Sequence, residues 1–268
     1  MNKVLRKLSF AIHITAGIPS LLRLLWHSKK LRWSKTGFIK PHTRQAQCSI
    51  SIEHTLGRRQ LYLRTYVGDI DIFYEVFFKK IYALPASVAK GIKTIVDLGA
   101  NVGLSAIYFL QQNPQAYIVC VEPDESNFEM LTKNLQPEIV SGKVKAMNVA
   151  AMGEDGFVSF ESADAKYNSR VVPQGIEKNI AAVSIPTLMQ HCGIDRVNLL
   201  KIDVEGAEKY ILSGDTAWLR KVDNILIELH SDEDHAVCMQ AFQQYNFKVE
   251  ALHGDAANEQ LFWASRPD

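Results

Sequence analysis

The chain has 268 residues, 47% of them hydrophobic, with a formal net charge of +1. That length and apolar content suit one large α/β domain with an extension and argue against two equal domains. The small net charge hides an asymmetry: residues 1–52 hold ten Lys or Arg and no Asp or Glu, leaving twenty basic against twenty-nine acidic residues in the remainder. No nucleic-acid partner is expected. Cys48, Cys120, Cys192 and Cys238 are scattered without a C-x-x-C spacing; they read as reduced thiols and place the chain in the cytoplasm.

The first element is a basic arm, residues 1–52. Residues 4–26 are largely apolar, but Arg6, Lys7, His13 and Arg23 interrupt them, and the part at 8–22, free of Lys and Arg, is short for a helix that spans a bilayer. No small-x-small cleavage site follows, and Lys29, Lys30 and Arg32 come next, which argues against a signal peptide. Two readings stand. One is a helix lying on an anionic membrane surface, peripheral on the inner face of the membrane, with Trp26 and Trp33 as interfacial anchors. The other is a helix packed on the body or on a second copy in an oligomer.

A lead-in region, residues 53–90, comes next. Candidate strands at 47–52 and 60–65 flank the turn Thr55-Leu56-Gly57-Arg58. Ile72, Phe73, Val76, Phe77 and Ile81 recur at helical spacing, so residues 69–82 are predicted to form a helix that Pro85 ends. Its aromatic stripe reads as core before it reads as a lid over a cofactor.

The main domain is residues 91–268. Predicted strands at 94–98, 117–121, 144–149, 197–202, 224–229, 247–251 and 260–264 alternate with helical stretches such as 104–112, 125–134, 207–212 and 234–245. This is a doubly wound α/β sheet. The last two strands are joined by a polar loop too short for a crossover helix, so they should pair antiparallel. A mostly parallel sheet of seven strands closed by an antiparallel one is the Rossmann-like class I methyltransferase arrangement. An added hairpin is expected at about 153–186, from 157–161 and 181–185.

Strand 94–98 runs into Gly99-Ala100-Asn101-Val102-Gly103, a Gly-rich turn opening a helix, where missing Cβ atoms let backbone approach a ligand closely. The dinucleotide fingerprint has a central glycine where this chain has Asn101, which disfavours NAD. Asp97 would repel a diphosphate and suits a cofactor with amino and sulfonium cations, and S-adenosylmethionine carries both. The next strand ends in Glu122, whose carboxylate can accept from two ribose hydroxyls.

Further along, Lys201-Ile202-Asp203-Val204-Glu205-Gly206-Ala207-Glu208 leaves a strand and enters a helix, and the following strand ends Glu228-Leu229-His230. Asp203, Glu228 and His230 should therefore share the carboxyl edge of the sheet with Asp97 and Glu122. A carboxylate can orient the imidazole, and the imidazole can take a proton from a hydroxyl. The same three residues could instead hold a divalent cation. Glu205 and Glu208 also have a plain reading, as neutralisers of a helix N-terminus.

The segments Val96 to Gly103, Val121-Glu122-Pro123-Asp124, Lys201 to Glu208 and Ile227-Glu228-Leu229-His230, in that order, resemble the FkbM family of S-adenosylmethionine-dependent methyltransferases. The similarity covers about residues 60–265. It implies O-methylation, with glycan sugars or natural-product hydroxyls as acceptors. By that resemblance Asp97, Gly99, Asn101 and Gly103 would cradle the methionine part, Glu122 the ribose, and residues 148–151, Asn148 and Ala150 among them, the adenine edge. Asp203 would face the amino group or the acceptor. Apart from the resemblance, the strand ends make His230 the base, with Glu228 or Asp203. Glu205 would meet the acceptor together with Asn168 and Arg170 of the insert. That insert matches no family pattern residue by residue but is a loop on a fixed scaffold, where specificity usually resides. An NAD-linked oxidoreductase and a non-catalytic scaffold at a membrane-associated glycan complex are the competing readings.

Overall fold

In the computed structural model, which describes residues 3–37, 46–54, 57–85, 88–89, 91–159, 179–256 and 259–266, the basic arm forms two helices, α1 (Lys3–Ile14) and α2 (Ile18–Lys35). Gly17 separates them with φ +93°, and Pro19 lies in the first turn of α2, where its missing N–H costs nothing. The chain divides into two compact units, one of residues 1–90, 102–114 and 129–136, the other of residues 91–101, 115–128 and 137–268.

In the first unit, β1 (Gln47–His54) and β2 (Gly57–Arg64) form an antiparallel hairpin in continuous register, Gln47 opposite Arg64 and His54 opposite Gly57. Turn residues 55 and 56 lie outside the described residues. The boundary expected at residue 52 falls inside β1. Helix α2 is fixed to this hairpin by the Ser51 N–H donating to Ser20 Oγ at 2.9 Å and by buried Leu24 and Leu31. Asp69 is fully buried but paired: its carboxylate accepts from the Arg64 backbone N–H at 2.7 Å and from the Arg64 guanidinium at 2.9 Å.

The helix predicted over 69–82 is shorter and in two parts, α3 (Asp69–Phe73) and a π-helical stretch, Tyr74–Lys79. It stops at Lys80, in the left-handed region at φ 59°, and not at Pro85. Within this unit its aromatic residues are core: Phe77 meets Tyr108, and Phe10 of α1 packs on Phe73, Tyr74 and Phe78. Tyr108 belongs to α4 (Leu104–Gln112), which is buried over most of its length.

The second unit is built on β3 (Thr94–Leu98), β4 (Tyr117–Val121), β5 (Val144–Met147), β9 (Val197–Ile202), β10 (Val222–Leu229), β11 (Lys248–Ala256) and β12 (Glu259–Ser265), with the short β6 (Ala150–Met152), β7 (Gly156–Ser159) and β8 (Asn179–Ser184) between β5 and β9. The seven long strands form one sheet in the order β11-β12-β10-β9-β3-β4-β5. Neighbours from β10 to β5 run parallel, and β12 is antiparallel to both β10 and β11. This is the order of the class I methyltransferase fold, and it meets the expectation for the last two strands. Ile95, Val96, Leu98, Val119, Val121, Leu199, Leu200 and Ile202 are all fully buried, which is why these strands read as unbroken apolar runs.

Helices α5 (Glu125–Asn134) and α6 (Gln136–Val140) follow β4, α7 (Ile185–Cys192) precedes β9, and α8 (Glu208–Ile211) and α9 (Asp232–Gln244) flank β10 in sequence. The sequence patterning missed α7, whose Ser184 side chain caps the Thr187 N–H and whose first turn holds Pro186. The added hairpin exists as β7 against β8, antiparallel, and β6 pairs parallel with β8 to make a separate three-stranded sheet. The strand predicted at 144–149 is shorter, ending at Met147, and the chain enters the second sheet only at Ala150. Residues 160–178 lie outside the described residues, and with them the expected acceptor contacts Asn168 and Arg170.

Candidate functional site

Parallel register puts the ends of four strands level. Leu98 of β3 pairs with Val121 of β4 and Ile202 of β9, and Ile202 pairs with Ile227 of β10. The next residues of the first three, Gly99, Glu122 and Asp203, therefore leave the sheet at one carboxyl edge, where open α/β sheets place their ligands, while Glu228 is still in β10, paired with Leu261 of β12.

Gly99 serves the protein's own packing. A Cβ there would lie 1.7 Å from the Asp203 carbonyl oxygen, so β9 fills the space that the sequence reading reserved for ligand. Its φ of +74° also needs glycine. Gly103, at φ +84°, precedes α4, and a Cβ there would approach Leu135 to 2.9 Å. Asn101 shares the left-handed conformation at φ 49°.

The Asn101 backbone N–H donates to Glu122 Oε2 at 2.8 Å, while Glu122 Oε1 accepts from the Asp124 N–H at 3.0 Å and the Asn127 side chain at 3.2 Å. Burial pushes the Glu122 carboxyl up, against these three bonds. Three bonds leave room for about one more of the four that a carboxylate accepts, on Oε2. Asn148 donates to the Glu122 and Pro123 carbonyls at 2.8 and 3.1 Å, which holds it beside that strand end. Ala150, expected at the adenine edge, turns its side chain into a cluster with Met152, Val158, Ala182 and Ala207.

Asp97 is fully buried, and its counter-ion is Lys201, opposite it on β9. Lys201 Nζ lies 3.2 Å from Asp97 Oδ1 and 3.3 Å from Asp203 Oδ2, and it donates to the Gly99 carbonyl at 2.8 Å. Burial would lower the ammonium's pKa, but Asp203 and Asp97 outweigh it and hold Lys201 well above the usual lysine range. The amino-group role expected for Asp97 thus meets a carboxylate already paired with a lysine. Sequence reasoning passed over Lys201; the available signal was one cation inside the apolar run Leu199-Leu200-Lys201-Ile202.

His230 sits just past β10 and is half-buried. Its Nδ1 is 3.1 Å from Glu208 Oε1 and its Nε2 is 3.7 Å from Glu205 Oε2. Both ring nitrogens thus face carboxylates other than Glu228 and Asp203, the two partners expected from sequence. Glu208, read from sequence as a helix-end neutraliser, is fully buried; its Oε1 also accepts from the Val204 and Gly206 N–H groups, and its Oε2 is buried without a hydrogen-bond partner. Burial works against charging the imidazole, but Glu208, then Asp203 and Glu205, overcome it and push the His230 pKa up to about 9. Glu205 is exposed and held at φ 56°, an uncommon conformation for a side chain of its size.

Asp203, Glu205 and His230 each offer a ligand atom, and these atoms lie within 4.8 Å of one another. Any divalent cation at this edge would find that triple, with Glu205 in place of the Glu228 expected from sequence. Glu208 on Nδ1 would then fix the ring so that Nε2 faces the ion. For S-adenosylmethionine the fit rests on Asn101, whose Oδ1 is buried without a hydrogen-bond partner, and on the remaining acceptor capacity of Glu122. An ammonium and one ribose hydroxyl would satisfy those two needs, in place of the two hydroxyls expected for Glu122.

Among the described residues no helix is long and apolar enough to cross a membrane.

A model of the methyltransferase FkbM domain family matches residues 97–249. The chain is 28% identical over 218 residues to Methyltransferase 1 of Beauveria bassiana, covering 71% of this chain and 85% of that protein. It is 28% identical over 140 residues to the hexuronic acid methyltransferase AglP of Haloferax volcanii, covering 52% of this chain and 56% of the relative. The 2-O-methyltransferase NoeI of Sinorhizobium fredii matches at 28% over 159 residues, 52% of this chain and 64% of that one. Among solved structures, a methyltransferase FkbM from Methylobacillus flagellatus aligns with a TM-score of 0.48 at 16% identity, over 65% of this chain and 43% of that one. The fold assignment itself rests on the strand order. The family match spans more than half of the chain and includes Asp97, Glu122, Asp203 and His230: this chain belongs to the FkbM-domain methyltransferases.

Proposed function

We propose that the chain transfers a methyl group from S-adenosylmethionine to a hydroxyl oxygen of a sugar or related natural product. The observation that carries this reading is the position of His230, with one ring nitrogen on buried Glu208 and the other turned toward Glu205, on the same sheet edge as the Glu122 and Asn101 groups. The name of AglP, a hexuronic acid methyltransferase, supports a sugar acceptor, and that of NoeI, a 2-O-methyltransferase, supports transfer to oxygen.

Bound S-adenosylmethionine would supply an electrophilic methyl on a sulfonium. Asn101 Oδ1 and Glu122 Oε2 would accept from its amino and ribose groups. His230 Nε2 would take the acceptor's hydroxyl proton while Glu208 holds Nδ1, so that Glu208 replaces Glu228 in the catalytic pairing. Asp203 and Glu205 border the imidazole and would orient the acceptor's remaining hydroxyls. Alignment of the reacting oxygen would supply much of the rate.

A divalent cation is the second reading, favoured by the 4.8 Å grouping of Asp203, Glu205 and His230 ligand atoms. Asp203, Glu205 and His230 would hold it, and the chemistry it would supply is a lowered pKa for the acceptor's hydroxyl.

Incubation with labelled S-adenosylmethionine and glycan or lipid-linked sugar extracts, with and without a chelator, tests both. Label in an O-methyl sugar supports the transfer; label on nitrogen, or no transfer with S-adenosylmethionine demonstrably bound, removes it. Turnover unaffected by chelation removes the cation.

A further inference from the structure

We infer that α1 and α2 form a docking surface for a lipid bilayer with anionic headgroups. This surface lies in the amino-terminal helices and requires nothing of methyl transfer at the sheet edge.

Helix α1 has two unlike faces. Ala11 is buried and Phe10 packs on Phe73, Tyr74 and Phe78, whereas Val4, Leu5, Leu8 and Ile12, at the spacings that share one helix face, are exposed. In α2 Leu24 and Leu31 are buried, whereas Ile18, Leu22 and Trp26, four residues apart, are exposed. These seven side chains are 39% to 72% exposed. A scattered apolar residue at a surface is ordinary, but a stripe on two successive helices marks an interaction face.

The charge beside the stripe selects the occupant. Residues 1–52 contain ten Lys or Arg and no acid. Lys29 lies over the Trp33 ring at 4.5 Å and Lys30 over the Trp26 ring at 5.3 Å, and the two indoles meet edge to face. Apolar residues flanked by indoles and ammonium groups match the layering of a membrane interface, with acyl chains, carbonyl region and phosphate in sequence. A second copy of this chain would bring two faces rich in Lys and Arg together, which like charge opposes, offset among the described residues by Asp71 on Lys35.

Sedimentation of the full chain with vesicles tests the surface, using pure phosphatidylcholine against phosphatidylcholine with about one-third phosphatidylglycerol, at about 0.1 M salt. Binding to the anionic vesicles should exceed binding to the neutral ones by about tenfold, and Leu5→Ser/Leu22→Ser/Trp26→Ser should lose about tenfold. Arg6→Gln/Arg32→Gln should flatten the salt dependence. Because the triple variant changes three helix positions, its melting curve is recorded too. If it melts early, quenching of Trp26 in the unaltered protein by bromine-labelled lipid decides the matter. Equal sedimentation with both vesicles, a folded triple variant that binds like the original, or no quenching would overturn the inference. So would a dimer in place of vesicle binding that the same variant dissociates, or equal affinity for a soluble polyanion with none for vesicles.

Discussion

Two charged clusters share Asp203 at the carboxyl edge of the sheet, and they are built on opposite plans. Around Lys201 one ammonium is surrounded by two carboxylates and a carbonyl, fully buried. Around His230 one half-buried imidazole meets Glu208 at 3.1 Å and Glu205 at 3.7 Å, with Asp203 nearby and Glu205 open to solvent. A buried, satisfied cluster holds backbone in place, because taking away any member leaves an unpaired charge in a low dielectric. A half-open cluster with surplus negative charge favours whatever cation arrives, whether proton or metal, and has reason to be on a surface. The Lys201 cluster therefore fixes the turn at Gly99 and Asp203, and the His230 cluster is the one to which the proposed function assigns the chemistry.

The largest effect is expected from Lys201→Met, which strands Asp97 without its counter-ion. Urea unfolding should show a loss of about 3–5 kcal/mol, and adding Asp97→Asn should recover part of it. Equal stability for the single variant would mean that Lys201 does not pair with Asp97, and the division between the two clusters would fail. Gly99→Ala belongs to the same test: a Cβ 1.7 Å from the Asp203 carbonyl must force β9 and the turn apart. It should cost about as much as an overpacked core position, 1–3 kcal/mol or more, and rescue by no single side-chain truncation is expected, since the obstacle is backbone.

How much of this edge was legible beforehand follows from the same contrast. The strands and their antiparallel ending could be read because apolar runs and a short connecting loop are local features. Glu122, Asp203 and His230 could be placed at one edge because each follows the last residue of a strand, whereas Asp97 is still inside β3. The partners could not be read. Lys201 meets Asp97 only through the β3–β9 register, and Glu208 reaches His230 across twenty-two residues of chain. Glu228, the nearer residue in sequence, lies on the strand with its side chain set by the pleat. Gly99 was legible as indispensable for the wrong reason, since its missing Cβ is matched by protein backbone. The π-helical stretch Tyr74–Lys79 keeps the apolar spacing of an α-helix, so periodicity alone does not distinguish it.

On the His230 side, His230→Ala should lower turnover by about 10²–10⁴ while S-adenosylmethionine binding, followed by calorimetry, stays within a few-fold. The protein should stay folded, because the ring is half-buried and is replaced by a smaller side chain. Loss of cofactor binding together with turnover would move His230 from the acceptor side of the reaction to the cofactor side. Unchanged turnover would take it out of the mechanism.

A smaller and more specific effect is expected from Glu208→Gln, which keeps the shape of the side chain and removes the charge on Nδ1. In the unaltered protein the imidazole titrates at about 9, above its ordinary 6.5. Folding therefore favours the protonated ring: the stabilisation is complete below about pH 6.5 and is lost as pH rises toward 9. The groups facing the ring are Glu208, Asp203 and Glu205, so the variant keeps two of three carboxylates. Its histidine resonance in an NMR titration should move down toward 6.5, and its urea midpoint should vary less between pH 6.5 and 9. The pH at which methyl transfer reaches its plateau should fall with it, because a ring that has already lost its proton is ready to accept one from the acceptor hydroxyl. If the resonance stays near 9, Asp203 and Glu205 hold the proton and Glu208 is only a brace for the Val204 and Gly206 N–H groups, which would make this half of the edge as structural as the Lys201 half.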